Sequence, residues 1–598
     1  MTRTLLTLRG VLGGRPARAS TAADSGTSSS ALCLPGGTGL RVSTIAGLLL
    51  GLLALGPALG RGFVLTYDMV FVPDPPISLA DLGFSGGPAR AVPSDLVVAL
   101  AARVLPAQFV QKLILIAIFT LACAGAAALV AQGWYRHAGD SRLPVLAGLV
   151  AGVMYAWNPF VAERLIMGQW AMLLGYAGLP WVLRELARTD GEIRARRLAV
   201  AILPAAVGGF AAMSITAVAA VPAALCLGPC RRPLAQRGTP GGAPSWLAQR
   251  RVGVTLAVLG LASLPWVVPS LIVPVHADPG GAAAFAARAD TPFGAAGSVL
   301  MLGGIWNAQA VPAGYGGLVS VCWLLVVVVA VAGYVVAARP RLVCAGLGIA
   351  AVAGFSLATL GTWSPGLAVL RDAISFWPGF ALLRDGQQFV APLALAESVG
   401  LGAGVAAFSQ VATRRAASER GSQGRQAAGL TALIGVFALL APVVLLPGLA
   451  WGAAGRLRPA QYPADWLAAR SVIEGSSQRG SVLLLPWAQY RRYAWNDGEA
   501  VFDPWPRLLA RPVIWNDALT VGRTTVAAES ASARRLRPAI ASRRPLTRLL
   551  RSAGVRYVIV DAGRLLDRPQ PRLAALARLP GARVVLASRD LIVFRVPD

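Results

Sequence analysis

Long segments without a single charge recur along the chain as far as about residue 450, and such segments have no stable place in water. They cover 113–132, 143–162, 165–183, 252–275, 316–338, 342–370 and 426–455, and one more, 386–413, is interrupted only by Glu397. About 20 apolar residues in a helix cross the hydrocarbon of a bilayer, where the helix satisfies its own backbone polar groups. The first apolar segment, 43–60, has no small-residue cleavage pattern after it and reads as an uncleaved signal anchor. Before it, residues 1–40 are rich in Ser, Thr, Gly and Arg without apolar periodicity and read as a disordered cytoplasmic tail.

The run 198–230 holds 33 uncharged residues. As one helix it would reach roughly 50 Å, well beyond a hydrocarbon layer of about 30 Å. Both flanks, 184–197 and 231–251, carry five arginines, so the positive-inside rule puts both in the cytoplasm and makes the run a hairpin turning near Ser214-Ile215-Thr216. The expectation is an α-helical polytopic membrane protein of about 11 transmembrane helices, N-terminus in and C-terminus out. Charge supports the orientation: the short inward loops 133–142, 184–197, 231–251, 339–341 and 410–428 hold 18 arginines. The outward loops 65–108, 163–164, 276–315 and 371–385 hold only Arg90, Arg103, Arg164, Arg288, Arg371 and Arg384. The transmembrane domain then covers 41–450, with outward loops 65–108, 276–315 and 371–385 long enough to build a site.

From 451 the pattern changes. Short apolar runs at Ser481–Pro486, Tyr557–Asp561, Arg583–Ser588 and Leu591–Val596 have strand length, and 463–474, 545–554 and 571–579 have helical spacing. Residues 451–598 therefore read as a small extracytoplasmic α/β domain. Its 24 arginines against 11 acidic residues suit anionic headgroups or an acidic envelope polymer, and suit a solvated surface equally well. Lys112 is the only lysine, so the net charge of +28 is almost wholly arginine and carries no functional weight by itself. Nucleic acid is not expected as a partner, because the basic loops face inward as topology demands.

The outward loops carry the candidate chemistry. Asp68 stands just after the first span, where a fixed carboxylate can take a proton from an alcohol; Asp74, between prolines, is a weaker substrate-binding candidate that also fits a turn. Glu163 and Arg164 fall between closely spaced spans and, with Gln169 and Trp170, either line a sugar pocket or form an interfacial ion pair anchored by tryptophan. Arg384, with Asp385, follows an aromatic amphipathic piece, and its fork suits a lipid phosphate as well as a headgroup anchor. Glu397 is a carboxylate deep in an apolar segment, where it serves either function or a buried structural pair. Gly83-Phe84-Ser85-Gly86-Gly87 spells a nucleophile elbow but has no strand before it, and two histidines, His137 and His276, are too few for a triad or a zinc centre. Cys226 and Cys230 lack further ligands nearby, and no cofactor is expected; a divalent metal finds no acidic pair.

With these residues in place, the chain resembles the GT-C superfamily of polytopic glycosyltransferases. Leu65–Pro76, Asn158–Trp181 and Leu382–Leu395 look like the corresponding parts of actinobacterial arabinofuranosyl- and mannosyltransferases, and Gly554–Asp561 is similar to a stretch in outward domains of related large membrane proteins. The first loop departs from that pattern in having an isolated Asp68 in place of an adjacent acidic pair. The resemblance implies a polyprenyl-phosphate sugar as donor and an envelope polysaccharide or glycolipid as acceptor at the outer face of the plasma membrane. It also implies Asp68 as general base, Arg384 on the leaving phosphate, and Glu163, Gln169 and Trp170 around the sugar. A lipid or oligosaccharide transporter or flippase and a non-catalytic scaffold for envelope assembly remain alternatives.

Overall fold

The computed structural model describes residues 36–597 except 86, 88, 135–141, 189–192, 228–244, 274, 339–341, 419–421, 523, 543 and 562–577. The expected tail as far as 35, the centres of all five expected cytoplasmic loops, the expected helix 571–579 up to 577, and His137 and Cys230 lie outside the described residues.

Helices dominate as far as residue 445. Apart from two short helices in the outward loops (Ser94–Ala101 and Gly294–Leu300), they are α1 (Gly36–Leu55), α2 (Ala107–Trp134), α3 (Arg142–Ala156), α4 (Pro159–Ile166), α5 (Trp170–Leu186), α6 (Ala195–Gly208), α7 (Phe210–Leu227), α8 (Ser245–Ile272), α9 (Gly317–Gly333), α10 (Leu342–Thr359), α11 (Ser364–Phe376), α12 (Ala391–Ser418) and α13 (Ser422–Leu445). Among the described residues eight helical segments are long and apolar enough to cross a bilayer, and a ninth if Leu433–Leu445 and Pro447–Gly455, bent by 57°, form one broken span. The expected count was about eleven; α5 and α6, at 17 and 14 residues, are shorter than the roughly 20 a straight crossing needs. The stretch Gly386–Ala412 is 94% buried and Leu143–Ile166 83%, so these form the centre of the bundle, while Gln249–Ile272, at 17%, lies at its edge.

The run 198–230 does fold back on itself, but at Gly209. Gly208 meets Ala171 of α5, Gly178 meets Pro204, and Gly175 meets Ala212, so the chain climbs along α5 and then descends beside it. The turn falls there because Gly209 takes φ +77, a left-handed conformation that glycine adopts at no steric cost. Ser214 and Thr216, where the turn was expected, return their hydroxyls to the carbonyls four residues back (2.6 and 2.8 Å) and stay helical. The expected span 342–370 also breaks. Trp363 is extended, Ser364-Pro365 opens α11, and that helix buries Gly366, Leu370 and Ile374 while Val369 and Phe376 are exposed. The segment 426–455 ends its regular helix at Leu445, before Pro447.

The C-terminal region contains a five-stranded sheet of order β10-β11-β9-β3-β6, formed by β3 (Ser481–Leu485), β6 (Val513–Ile514), β9 (Val555–Asp561), β10 (Arg583–Ala587) and β11 (Leu591–Arg595). β3 pairs parallel with β9 and β6, and β11 antiparallel with β9 and β10. All four expected strands and the helices Ala464–Glu474 and Thr547–Ser552 are present. Thr38–Asp598 forms one compact unit. Two pairings tie the first loop into the C-terminal region: β1 (Phe63–Val64) pairs with β2 (Pro459–Ala460), and Tyr67 bridges Val501 of β5 (Ala500–Phe502), which pairs with β4 (Tyr490–Arg492). Residues 68 and 500 are therefore on the same side of the bundle.

Within the bundle, small residues let backbones touch. Gly400 of α12 lies against Ala330 and Tyr334, and Gly333 lies against Gly400 and Gly404. A Cβ at Gly400 meets the Ala330 carbonyl, a backbone atom with no room to yield. Gly400→Val is expected to cost about 1–3 kcal/mol through overpacking, read as a lowered unfolding midpoint of the purified protein in detergent.

Candidate functional site

Asp68 belongs to a tight turn that rests on the junction of α4 and α5. Thr66 and Met69 hydrogen-bond each other's backbones (3.3 and 2.8 Å), and the Asp68 N–H donates to Met167 O at 3.1 Å. The Thr66 hydroxyl donates to Ile166 O at 3.0 Å. Gly168 (φ +73) turns directly under Thr66 and Met69, where any Cβ would strike the backbone. On its other side the turn is an added strand: Tyr67 N–H donates to Ala500 O (2.6 Å) and Phe502 N–H to Tyr67 O (2.8 Å).

The loop expected at 163–164 is instead a helix. Asn158 caps α4 by accepting from Val161 N–H at 3.1 Å, and Pro159 starts its first turn. Glu163 and Arg164 then lie inside α4, both fully buried, and not at an exposed interface between helix ends. Arg164 is the hub. Its Nη1 and Nη2 donate to the two carboxylate oxygens of Asp385 (2.6 and 2.9 Å), Nη1 also donates to Gln169 Oε1 (2.5 Å), and Nε donates to Gln387 Oε1 (2.8 Å). Gln387 in turn donates to Glu163 Oε2 and Gly303 O, both at 3.1 Å. With its oxygen turned to Arg164, Gln169 presents its NH2 to Asp68 Oδ2 at 3.2 Å.

The other Asp68 oxygen accepts from the Tyr490 hydroxyl at 2.6 Å. Burial pushes the Asp68 carboxyl above its ordinary 3.8, while the bonds from Tyr490 and Gln169 and the charges of Arg90 and Arg507 draw it back down. Burial and the facing Asp68 hold the Tyr490 phenol well above 10, so it stays a donor. A carboxylate has about four lone-pair sites, so two bonds leave room for one more donor.

Asp68, Gln169, Arg164, Asp385 and Glu163 are thus one connected network. Trp170 adjoins it, packed on Phe71 at 5.1 Å between ring centres. Phe71, Trp170, Pro75, Pro76, Asp81, Asp95 and Arg507 line part of a small, shallow cleft that does not include Asp68. Arg384 points elsewhere: its Nη2 donates to Glu529 Oε1 at 2.6 Å. Asp74 sits exposed in a turn at φ +47, where its carbonyl accepts from Arg470, so its turn role is what the geometry displays. Glu397 is buried in α12, and neither of its oxygens has a hydrogen-bond partner among the described residues. Among the described residues no group of three or more His, Cys, Asp and Glu gathers as a metal site.

Four contributors escaped the sequence reading. Tyr490 and Glu529 belong to a region where strand patterning gave fold but no site. Asp290, which faces Glu163 across Gly303, is one of several loop carboxylates. Gln387 lay within the segment singled out around Arg384, but an uncharged amide there gave no signal.

No family model matches the sequence, and no curated protein matches it. Among solved structures, the arabinofuranosyltransferase AftD from mycobacteria is similar over 94% of this chain, at 17% identity and a TM-score of 0.55. A mutant of AftD gives 0.53 at the same identity. This chain spans 40% and 41% of those two chains. ArnT from Cupriavidus metallidurans is a looser likeness, 13% identical with a TM-score of 0.40 over 94% of this chain and 98% of that one. With its apolar helices, its C-terminal sheet and its likeness over 94% of its length to part of the first of these structures, the chain is a multi-pass membrane protein that shares the fold of that part of the mycobacterial arabinofuranosyltransferase.

Proposed function

We propose that this chain is a membrane glycosyltransferase acting at the outer face of the plasma membrane, moving a sugar from a polyprenyl-phosphate donor to a hydroxyl of an envelope polysaccharide or glycolipid. The observation that carries the reading is Asp68. One half-buried carboxylate is gripped by the first loop, the α5 N-terminus and β4, with a lone pair to spare and the charge of Arg90 acting on it.

In this reading the acceptor hydroxyl gives its proton to Asp68 while its oxygen attacks the anomeric carbon. The bond from that carbon to the phosphate oxygen breaks, and the phosphate leaves with the electron pair. Tyr490 and Gln169 aim the carboxylate. Arg164 sets the orientation of Gln169, because accepting from Nη1 commits the amide oxygen and leaves only the NH2 to face Asp68. Trp170 and the cleft beside it offer an apolar face to a sugar ring. A polytopic topology with the tail inside and residues 451–598 outside supplies the compartment.

Asp68→Asn is expected to lower transfer from a polyprenyl-phosphate sugar by about 10²–10⁴-fold in a membrane assay, with expression and detergent unfolding unchanged; undiminished transfer removes Asp68 from the mechanism. Tyr490→Phe makes a sharper claim. Transfer falls on the acid side as Asp68 takes up its proton. Losing a hydrogen bond that favours the carboxylate moves that limb to higher pH, so the variant is impaired most at low pH and approaches wild type as pH rises. A kcat/KM profile lowered equally at every pH contradicts the role given to Tyr490.

A further inference from the structure

Beside the Asp68 network two arginines share one carboxylate. Glu529 Oε1 accepts from Arg384 Nη2 at 2.6 Å and from Arg90 Nη2 at 2.7 Å, and its Oε2 also accepts from Arg90 Nη2 at 2.7 Å. The three residues come from the first outward loop, the segment before α12, and the turn after the β7–β8 hairpin (Leu519–Val521 and Thr524–Val526).

The match is incomplete. Arg384 is 94% buried, yet its Nη1 has no hydrogen-bond partner among the described residues. Its Nε donates to Ala381 O (3.2 Å), and the Phe285 ring lies 5.3 Å from the guanidinium carbon, so the fork is held in place with one nitrogen unused. A planar carboxylate has two oxygens to offer two forks, whereas a phosphate has more acceptors arranged in three dimensions. Arg90 is half exposed at 50% and marks the open side. Glu529 rides on a turn whose backbone is secured separately: Asp517 accepts from the N–H groups of Glu529 and Ser530 (3.1 and 2.7 Å), and Arg534 donates to Glu529 O (2.6 Å). Only the two arginines hold its carboxylate among the described residues, so that side chain can swing away without unravelling the turn.

We propose that Arg90 and Arg384 form a binding site for a phosphate anion, and that the Glu529 carboxylate is its built-in occupant, displaced when the phosphate arrives. The proposal rests on the transferase reading only in naming a lipid-linked phosphate as the source. An internal competitor lowers apparent affinity by the fraction of molecules in which the site is free. It also keeps two guanidinium groups from facing each other uncompensated, and an occupied site exchanges one anion for another.

The test is direct binding to the full-length protein in nanodiscs, with two probes: a short-chain isoprenyl monophosphate and inorganic phosphate. Glu529→Gln keeps the shape and removes the charge; it is expected to bind the isoprenyl phosphate about tenfold more tightly than wild type. Adding Arg384→Gln is expected to abolish that gain. An equal gain for inorganic phosphate identifies free phosphate as a ligand of the site, and a gain confined to the isoprenyl probe identifies a lipid headgroup; either supports the site. Unchanged or weaker binding of both probes by folded E529Q overturns the proposal. If E529Q does not fold, Glu529→Asp, whose shorter reach loosens the same contacts, must tighten binding, and its failure to do so overturns the proposal equally. No turnover enters these measurements. Tighter phosphate binding without sugar transfer leaves the site standing and removes the transferase reading, while transfer with unchanged phosphate affinity does the reverse.

Discussion

A guanidinium wholly removed from water governs the site. Stranding a buried charge by removing its partner costs about 3–5 kcal/mol, so every segment that contacts Arg164 is constrained to reach it. Asp385 supplies both carboxylate oxygens, Gln387 and Gln169 supply amide oxygens, and the segments before α12 and at the start of α5 are thereby drawn together around α4. The orientation of Gln169 follows from this, and so does its hold on Asp68. The chemistry proposed for the first loop depends on a salt bridge that Asp68 does not touch.

Much of this was legible from residue types alone. Charge-free runs located the helices, arginine counts required the fold-back within 198–230, and strand-length apolar runs after 451 located the main sheet. Asp68, Glu163, Arg164, Gln169 and Asp385 were singled out separately, each for its place near a span end, and they are linked by hydrogen bonds. What lay beyond reach was how backbone geometry redistributes them. Gly209 and Gly168 turn the chain at points set by left-handed conformations, which apolar periodicity does not register. Asn158-Pro159 starts a helix within what charge spacing treated as the end of a span, and Ser364-Pro365 does the same after α10.

The C-terminal contributions were illegible for a different reason. Tyr490 is an ordinary strand residue in a local pairing of β4 with β5, and its significance comes from the bridge of Tyr67 to Val501, residues more than 400 positions apart. Glu529 is one acidic residue in an arginine-rich region. Nothing local distinguishes it, because its partners Arg90 and Arg384 come from two other loops.

The pairing of Phe63 with Ala460 and of Val64 with Pro459 also determines when the first loop can be completed during synthesis. A ribosome emits the chain from its first residue onward, and contacts of such long range close late. While the helices are being laid into the bilayer, the turn carrying Asp68 waits without the strand that frames it. A nascent chain that has passed residue 445 but not yet reached 501 has every helix as far as α13 and still lacks the β5 residue that completes the bridge at Tyr67. The turn that carries Asp68 therefore gains its frame only after the chain has been made past residue 501.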